Sequence, residues 1–362
     1  MKEISIRFAG AACRIVIGGR LRDLGRSLAR IFPGGPRCLI VTHPRLKTLY
    51  GRSIERSVRR SGMRPAFALI PEGETAKNLS AARDLYRKCL AEKLDRSSVI
   101  LAFGGGVVGD TAGFVAATYL RGLPLVQVPT TLLAMVDSSI GGKTGVDLPQ
   151  AKNFIGAFHQ PKLVWIDPAL LASLPEREIR NGLAEVIKYG VIADRDLFGI
   201  LERSGPLQAA GRRALREKMI ARCAAVKARV VSRDERETRG LREILNFGHT
   251  WGHAIETFTR YRAYSHGEAV ALGMRAAGAM ALHLGLWTRT DQDRLTGLLR
   301  RAGLPLRLKD GLPRKRMAEI LSRDKKNRSG LLRFVLPRRL GKVIVRTVPA
   351  SVALKGLEAI QP

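Results

Sequence analysis

Ser98-Val99-Ile100-Leu101-Ala102-Phe103 runs directly into Gly104-Gly105-Gly106-Val107-Val108-Gly109-Asp110, and this stretch decides the fold. A short apolar run ending in glycines reads as a buried strand that turns into a helix. Gly104, Gly106 and Gly109 have the G-x-G-x-x-G spacing, which lets backbone approach a pyrophosphate at a helix N-terminus, where negative charge is favoured. The spacing also fits a plain structural turn. The acid that normally follows the glycines by about 20 residues is missing, since none lies between Asp110 and Asp137. The nucleotide domain is therefore a variant one, and Glu74, in Pro71-Glu72-Gly73-Glu74-Thr75-Ala76-Lys77, could take the ribose hydroxyls instead; the loop also fits a plain helix N-terminus, where acids are favoured by the dipole.

Outward from that centre, Cys38–Thr42, Ala66–Ile70 and Leu125–Pro129 read as further short strands, and 78–93 has an apolar helical face. Alternation of this kind implies a mostly parallel sheet. After about residue 170 the pattern becomes helical, over 175–191, 212–233, 249–257, 267–284 and 290–302. Strand signals return only at 331–335 and 342–348. The expected architecture is α/β: an N-terminal Rossmann-like nucleotide-binding domain over residues 1–170, then a mainly helical metal- and substrate-binding domain over 171–362.

Composition narrows the functional classes. The chain has 362 residues and a net charge of +32, with its basic residues scattered rather than gathered in a tail. No aromatic-rich basic motif of the kind that stacks bases is present, so nucleic acid is set aside in favour of a basic surface that draws in anionic substrates. Apolar runs are too short for a membrane span of about 20 residues. The N-terminus alternates like a strand and lacks the apolar core of a signal peptide. Four dispersed cysteines fit free thiols in a reducing compartment, and the cytoplasm is the expected location.

Three of the six histidines, His249, His253 and His266, crowd into one short segment. His249 and His253 lie one helical turn apart, and a catalytic divalent ion wants three N/O ligands and an open position. Spacing leaves the carboxylate open among Glu185, Glu256 and Glu268. Glu185 sits in an otherwise apolar helix, where a buried carboxylate needs a cationic partner, either a metal or Lys188 one turn on. Cations recur at polar turns: Lys143, Lys152, Arg242, Lys325 and Lys326 would suit a substrate carrying phosphate and carboxylate. Gly141-Gly142-Lys143-Thr144 is not a P-loop, because Asp137 occupies the position of its first glycine.

Five segments, in this order, resemble the 3-dehydroquinate synthase family: Gly104–Asp110, Val128–Thr144, Lys152–Ala157, Gly182–Gly190 and Leu245–Glu256. The resemblance spans about residues 37–345. It implies a lyase that converts 3-deoxy-D-arabino-heptulosonate 7-phosphate to 3-dehydroquinate and phosphate, by transient oxidation, elimination, re-reduction and aldol closure. Zinc, or cobalt in its place, would be held by Glu185, His249 and His266, with His253 facing the substrate phosphate. NAD would be held by Glu74, Lys77, Gly105, Gly106, Asp110, Thr130, Thr131, Asp137 and Ser138, with Lys143, Lys152, His43 and Ser173 at the same site. Substrate would meet Lys143, Lys152, Asn153, Lys188, Lys227, Arg242, Asn246 and one of Lys325 and Lys326. Arg121 would reach across a homodimer into the neighbouring site.

Three positions depart from the family pattern. His43 replaces an Asn or Asp near the adenine ribose, Ser173 replaces a Thr, and Arg239 is an extra residue before Gly240-Leu241-Arg242. The rival readings are a metal-dependent NAD polyol dehydrogenase, a related cyclase of the valiolone or amino-dehydroquinate type, and a basic nucleic-acid-binding module without catalysis.

Overall fold

The computed structural model describes residues 1–8, 11–148, 150–322 and 332–362. Lys325 and Lys326 lie outside the described residues. The chain divides into two compact units, one of Met1–Leu174 with Lys227–Arg236, the other of Pro175–Val226 with Glu237–Pro362.

The first unit is built on a seven-stranded sheet. Its strands are β1 (Lys2–Phe8), β2 (Ala11–Ile17), β3 (Arg37–Thr42), β4 (Arg64–Leu69), β5 (Val99–Gly104), β6 (Leu125–Pro129) and, after the hairpin β7 (Lys143–Leu148) and β8 (Ala151–Phe158), β9 (Leu163–Ile166). The spatial order is β1-β2-β9-β6-β5-β3-β4. Only β1 pairs antiparallel, with β2; the other ladders are parallel, in line with the sequence expectation. β5 and β6 are buried at every position, which is why they read as unbroken apolar runs. The edge strand β4 is only half covered.

Helices α1 (Leu24–Ile31), α2 (Pro44–Arg60), α3 (Leu79–Ala91) and α4 (Gly106–Thr118) belong to this unit. Asn78 caps α3, its side chain accepting from the Ala81 amide at 2.9 Å. Leu85 and Cys89 of α3 and Ala112, Val115 and Ala116 of α4 pack with Leu39, Val41 and Ile100 of the sheet. Fully burying each large aliphatic side chain contributes about 1.5–3 kcal/mol. The glycine-rich turn does what its spacing predicts. β5 ends at Gly104, Gly105 caps α4, and Gly109 lies so close to Gln127 of β6 that a Cβ there would sit 2.9 Å from its Oε1. The Gln127 side chain donates to the Gly109 carbonyl at 3.1 Å and ties helix to sheet.

In the second unit come α5 (Glu176–Ile192), α6 (Arg195–Ser204), α7 (Pro206–Gly211) and α8 (Arg213–Arg233), the last of which runs on into the segment counted with the first unit. They are followed by α9 (His249–Phe258), α10 (His266–His283), α11 (Arg289–Arg301), α12 (Arg314–Ser322), the hairpin β10 (Leu332–Arg339) and β11 (Lys342–Val348), and α13 (Ala350–Ile360). α10 is the hub: α5, α9, α11, α13 and β10 pack on it, and from Ala269 to Leu272 every residue is fully buried. No helix among the described residues is long and apolar enough to cross a membrane, and all four cysteines are buried free thiols.

Candidate active site

Glu185, His249 and His266 come together although 81 residues separate the first from the last. One donor atom from each lies within 4.8 Å of the other two. Glu185 Oε1 is 3.5 Å from His249 Nε2 and 3.7 Å from His266 Nε2. Two ligands about 2.1 Å from a tetrahedral centre stand roughly 3.4 Å apart, so the trio matches a divalent-ion site. Of the three acids that spacing left open, Glu185 is the one that joins the histidines. Glu256 stands behind His266, its Oε1 3.5 Å from Nδ1. Glu268 is spent on the capping box of α10, where it accepts from the Ser265 amide at 2.7 Å.

The surroundings orient the rings. His249 Nδ1 lies 3.2 Å from the Phe247 carbonyl, which can only accept, so Nδ1 carries the proton and Nε2 presents a lone pair toward Glu185. Burial, helped by the Lys188 charge, holds His249 well below its ordinary pKa and keeps it neutral, the form a metal needs. Burial also pushes His266 down, but hydrogen bonds to Glu185 and Glu256 outweigh it and hold the ring at about 10. Glu185 is fully buried and ion-paired with the equally buried Lys188. Spacing had offered a metal or Lys188 as the partner of this carboxylate, and the geometry accommodates both. His253 is exposed, with its ring centroid 5.5 Å from that of His249.

Glycine brings the two histidine-bearing helices this close. Gly248, at φ +81°, starts α9, and a Cβ on Gly273 of α10 would run into its carbonyl. Gly252 makes a similar backbone approach to Ala269 and Val270. We predict that Gly273→Ala displaces His249. Stability should fall by about 1–3 kcal/mol, the usual cost of overpacking, and metal retention through dialysis should fall with it. Unchanged melting and metal content would refute this account of the packing.

In the first unit a second polar cluster forms around Lys77, which is buried and donates to Asp110 Oδ2 at 2.7 Å and to Asn153 Oδ1 at 2.5 Å. Burial lowers the Lys77 pKa, but Asp110, Glu74 and Asp147 together raise it, so the ammonium stays charged. Lys152 pairs with Glu74 at 3.0 Å. Asp147, which the sequence reading missed, accepts from the Asn153 amide at 2.7 Å and helps hold Asn153 at φ +57°. An acid five residues before Lys152 on a hairpin was its only sequence signal. Lys227 donates to the Asp137 carbonyl and carboxylate at 2.7 and 2.8 Å.

Ala134–Ser138 is a π-turn, a form often found at functional sites, and it carries Asp137 and Ser138. Ser138 Oγ is buried without a hydrogen-bond partner among the described residues, and a Cβ on Gly106 would sit 3.3 Å from it. Thr131 stands over Gly105, where a Cβ would lie 2.9 Å from its methyl. An orphaned hydroxyl beside bare backbone at the start of a 13-residue helix suits a phosphate-bearing ligand. Thr130 is buried at the end of β6, and Lys143 is exposed at the start of β7. His43 caps the start of α2, and Ser173 donates to the Leu170 carbonyl at 3.1 Å. Arg45, another residue the sequence reading missed, donates to the Ser173 carbonyl at 3.4 Å and lies 4.0 Å from Glu72.

Arg242 is buried on the short 3-10 turn Leu241–Asn246, 3.5 Å from Glu237, with Asn246 half-buried at the end of the same turn. Arg121 is exposed at φ +67°, after Leu120 at φ +50°.

Comparison with known proteins agrees with this geometry. Family models described as 3-dehydroquinate synthase N-terminal and 3-dehydroquinate synthase C-terminal match residues 67–181 and 182–327. The 3-dehydroquinate synthase of Symbiobacterium thermophilum is 49% identical over 345 residues, covering 95% of this chain and 96% of that one. The protein of that name from a Picosynechococcus strain is 50% identical over 313 residues, covering 86% of each. Among solved structures, the 2-epi-5-epi-valiolone synthase of Streptomyces hygroscopicus subsp. jinggangensis, with NAD+ and Zn2+ bound, superposes at a TM-score of 0.87 with 29% identity over 99% of this chain and 98% of that one. A glycerol dehydrogenase from Schizosaccharomyces pombe, at 16% identity and a TM-score of 0.68 over 96% and 88% of the two chains, shares the fold alone.

Proposed function

This chain belongs to the 3-dehydroquinate synthase family, and from that premise we propose how its residues divide the work. The enzyme converts 3-deoxy-D-arabino-heptulosonate 7-phosphate to 3-dehydroquinate and phosphate. The Glu185–His249–His266 cluster carries this reading: a fully buried carboxylate and two oriented imidazoles leave an open position for a substrate oxygen. When bound, the divalent ion supplies a Lewis acid and NAD supplies a transient hydride acceptor.

The chain's own groups bind and orient. Glu185, His249 and His266 hold the ion, and Glu256 orients His266. Gly105, Gly106, Thr130, Thr131 and Ser138 receive the dinucleotide phosphates, with Glu74, Lys77, Asp110 and Asp137 around them and His43 and Ser173 at its far end. Lys143, Lys152, Asn153, Lys188, Lys227, Arg242, Asn246 and His253 receive the anionic substrate, together with Lys325 or Lys326. Most of these cations already sit beside an acid, as Lys152 does with Glu74 and Lys227 with Asp137, so each is held in place before an anionic oxygen arrives. The set is rich in cations and poor in uncommitted bases, which suits an elimination in which the departing phosphate itself accepts the proton.

We further propose a homodimer in which Arg121 enters the neighbouring site. Two successive non-glycine residues at positive φ cost about 1–3 kcal/mol each, and such strain tends to persist where a side chain is presented for use. The buried thiols fit a cytoplasmic protein.

The test is phosphate release from the seven-carbon sugar phosphate with zinc and substoichiometric NAD. Turnover in excess of NAD, without net NADH, is expected. Accumulation of NADH from a polyol would establish a dehydrogenase instead.

A further inference from the structure

In parallel α/β sheets a nucleotide lies beyond the carboxyl ends of the strands. The glycine-bearing strand β5 has β3 on one side and β6 on the other, with β4 beyond β3. NAD is ordinarily selected by an acid on the ribose 2′-hydroxyl, which repels the extra phosphate of NADP, whereas an arginine nearby accommodates that phosphate. Neither neighbour of β5 ends in such an acid. β6 runs out into Thr130 and Thr131, and β3 into His43, Pro44 and Arg45.

Two acids follow β4, and both are already matched: Glu74, which pairs with Lys152 at 3.0 Å, and, nearer to Arg45, Glu72. Its carboxylate lies 4.0 Å from the Arg45 guanidinium and 3.9 Å from His43 Nδ1. Its side chain is 58% exposed and can turn to solvent. Arg45 donates to the Ser173 carbonyl, which keeps its planar fork at the corner. Arg45 also sits in the first turn of the 17-residue α2, where the helix dipole adds to its attraction for an anion. A 2′-phosphate brings about 1.5–2 negative charges and oxygens that an arginine fork meets two at a time.

We propose that Arg45, with His43, makes the ribose corner receptive to a 2′-phosphate, so that this chain binds and uses NADP as well as NAD. The inference rests on the nucleotide reading of the first unit. It is tested by calorimetric binding of NAD and NADP to the full chain and to Arg45→Ala and His43→Asp, with turnover measured on each nucleotide in parallel.

Wild type should bind NADP with a Kd within tenfold of that for NAD. Arg45→Ala should weaken NADP at least tenfold and NAD less than threefold, and its retained NAD binding reports an intact fold. His43→Asp should shift preference toward NAD by a similar factor. Wild-type NADP binding more than tenfold weaker than NAD, or equal loss of both nucleotides in Arg45→Ala, overturns the proposal while leaving the NAD site standing. Failure of NAD itself to bind overturns the underlying nucleotide reading, and the proposal falls with it.

Discussion

His249→Ala should lose its metal and its turnover together. The substitution leaves Glu185 and His266 as the remaining protein donors, and a catalytic divalent site needs three. Metal bound after dialysis should fall from about one ion per chain to under about a tenth, and phosphate release by a factor on the order of 10³ or more. Elemental analysis and the phosphate assay read the two losses separately. His253→Ala is the control: it should keep the metal, because His253 is exposed and lies outside the trio. A metal-free His249→Ala protein that turns over at the wild-type rate would dismiss the assignment.

Lys188→Met probes the same carboxylate from its other side. Met keeps most of the side-chain length and removes the charge, leaving Glu185 buried beside apolar neighbours such as Leu183 and Val186. Breaking a buried pair by removing one partner costs about 3–5 kcal/mol when the remaining charge is stranded, and here the cost falls toward the low end because the His266 ring still faces Glu185 at 3.7 Å. The metal-free variant should therefore melt well below the metal-free wild type. Zinc should recover most of the difference, since it supplies the missing positive charge to Glu185. A variant whose metal-free melting matches wild type would mean that Lys188 is not what compensates Glu185. A variant destabilised equally with and without zinc would mean that the ion does not reach this carboxylate.

The two substitutions separate what local sequence can and cannot carry. The glycine turn at 104–109, its flanking strand and its helix were legible because each is set within a few residues. An apolar run buried on both faces reads as a strand, and bare backbone before a helix reads as an anion seat. The strand at 125–129 and the helices near 176–192, 249–258 and 266–283 were legible for the same reason. The hairpin of β7 and β8 was not, since lysines, glycines and Asn153 break up its apolar residues and it is tied in place by the Asn78–Asp147 bridge and the Lys77 network.

Sequence by itself determined the element types, the parallel sheet, the presence of a histidine cluster on a helix, and the family to which the motifs point. Residue spacing left the carboxylate open and the family resemblance pointed to Glu185; the folded chain is what shows Glu185 meeting the histidines, Glu256 backing His266 while Glu268 caps a helix, and Arg45 standing with His43 and Glu72. Periodicity and capping are properties of neighbours along the chain. The meeting of Glu185 with His249 and His266 depends on how closely α9 can lie against α10, and that distance is set by glycines whose missing side chains leave no signature until the two backbones touch.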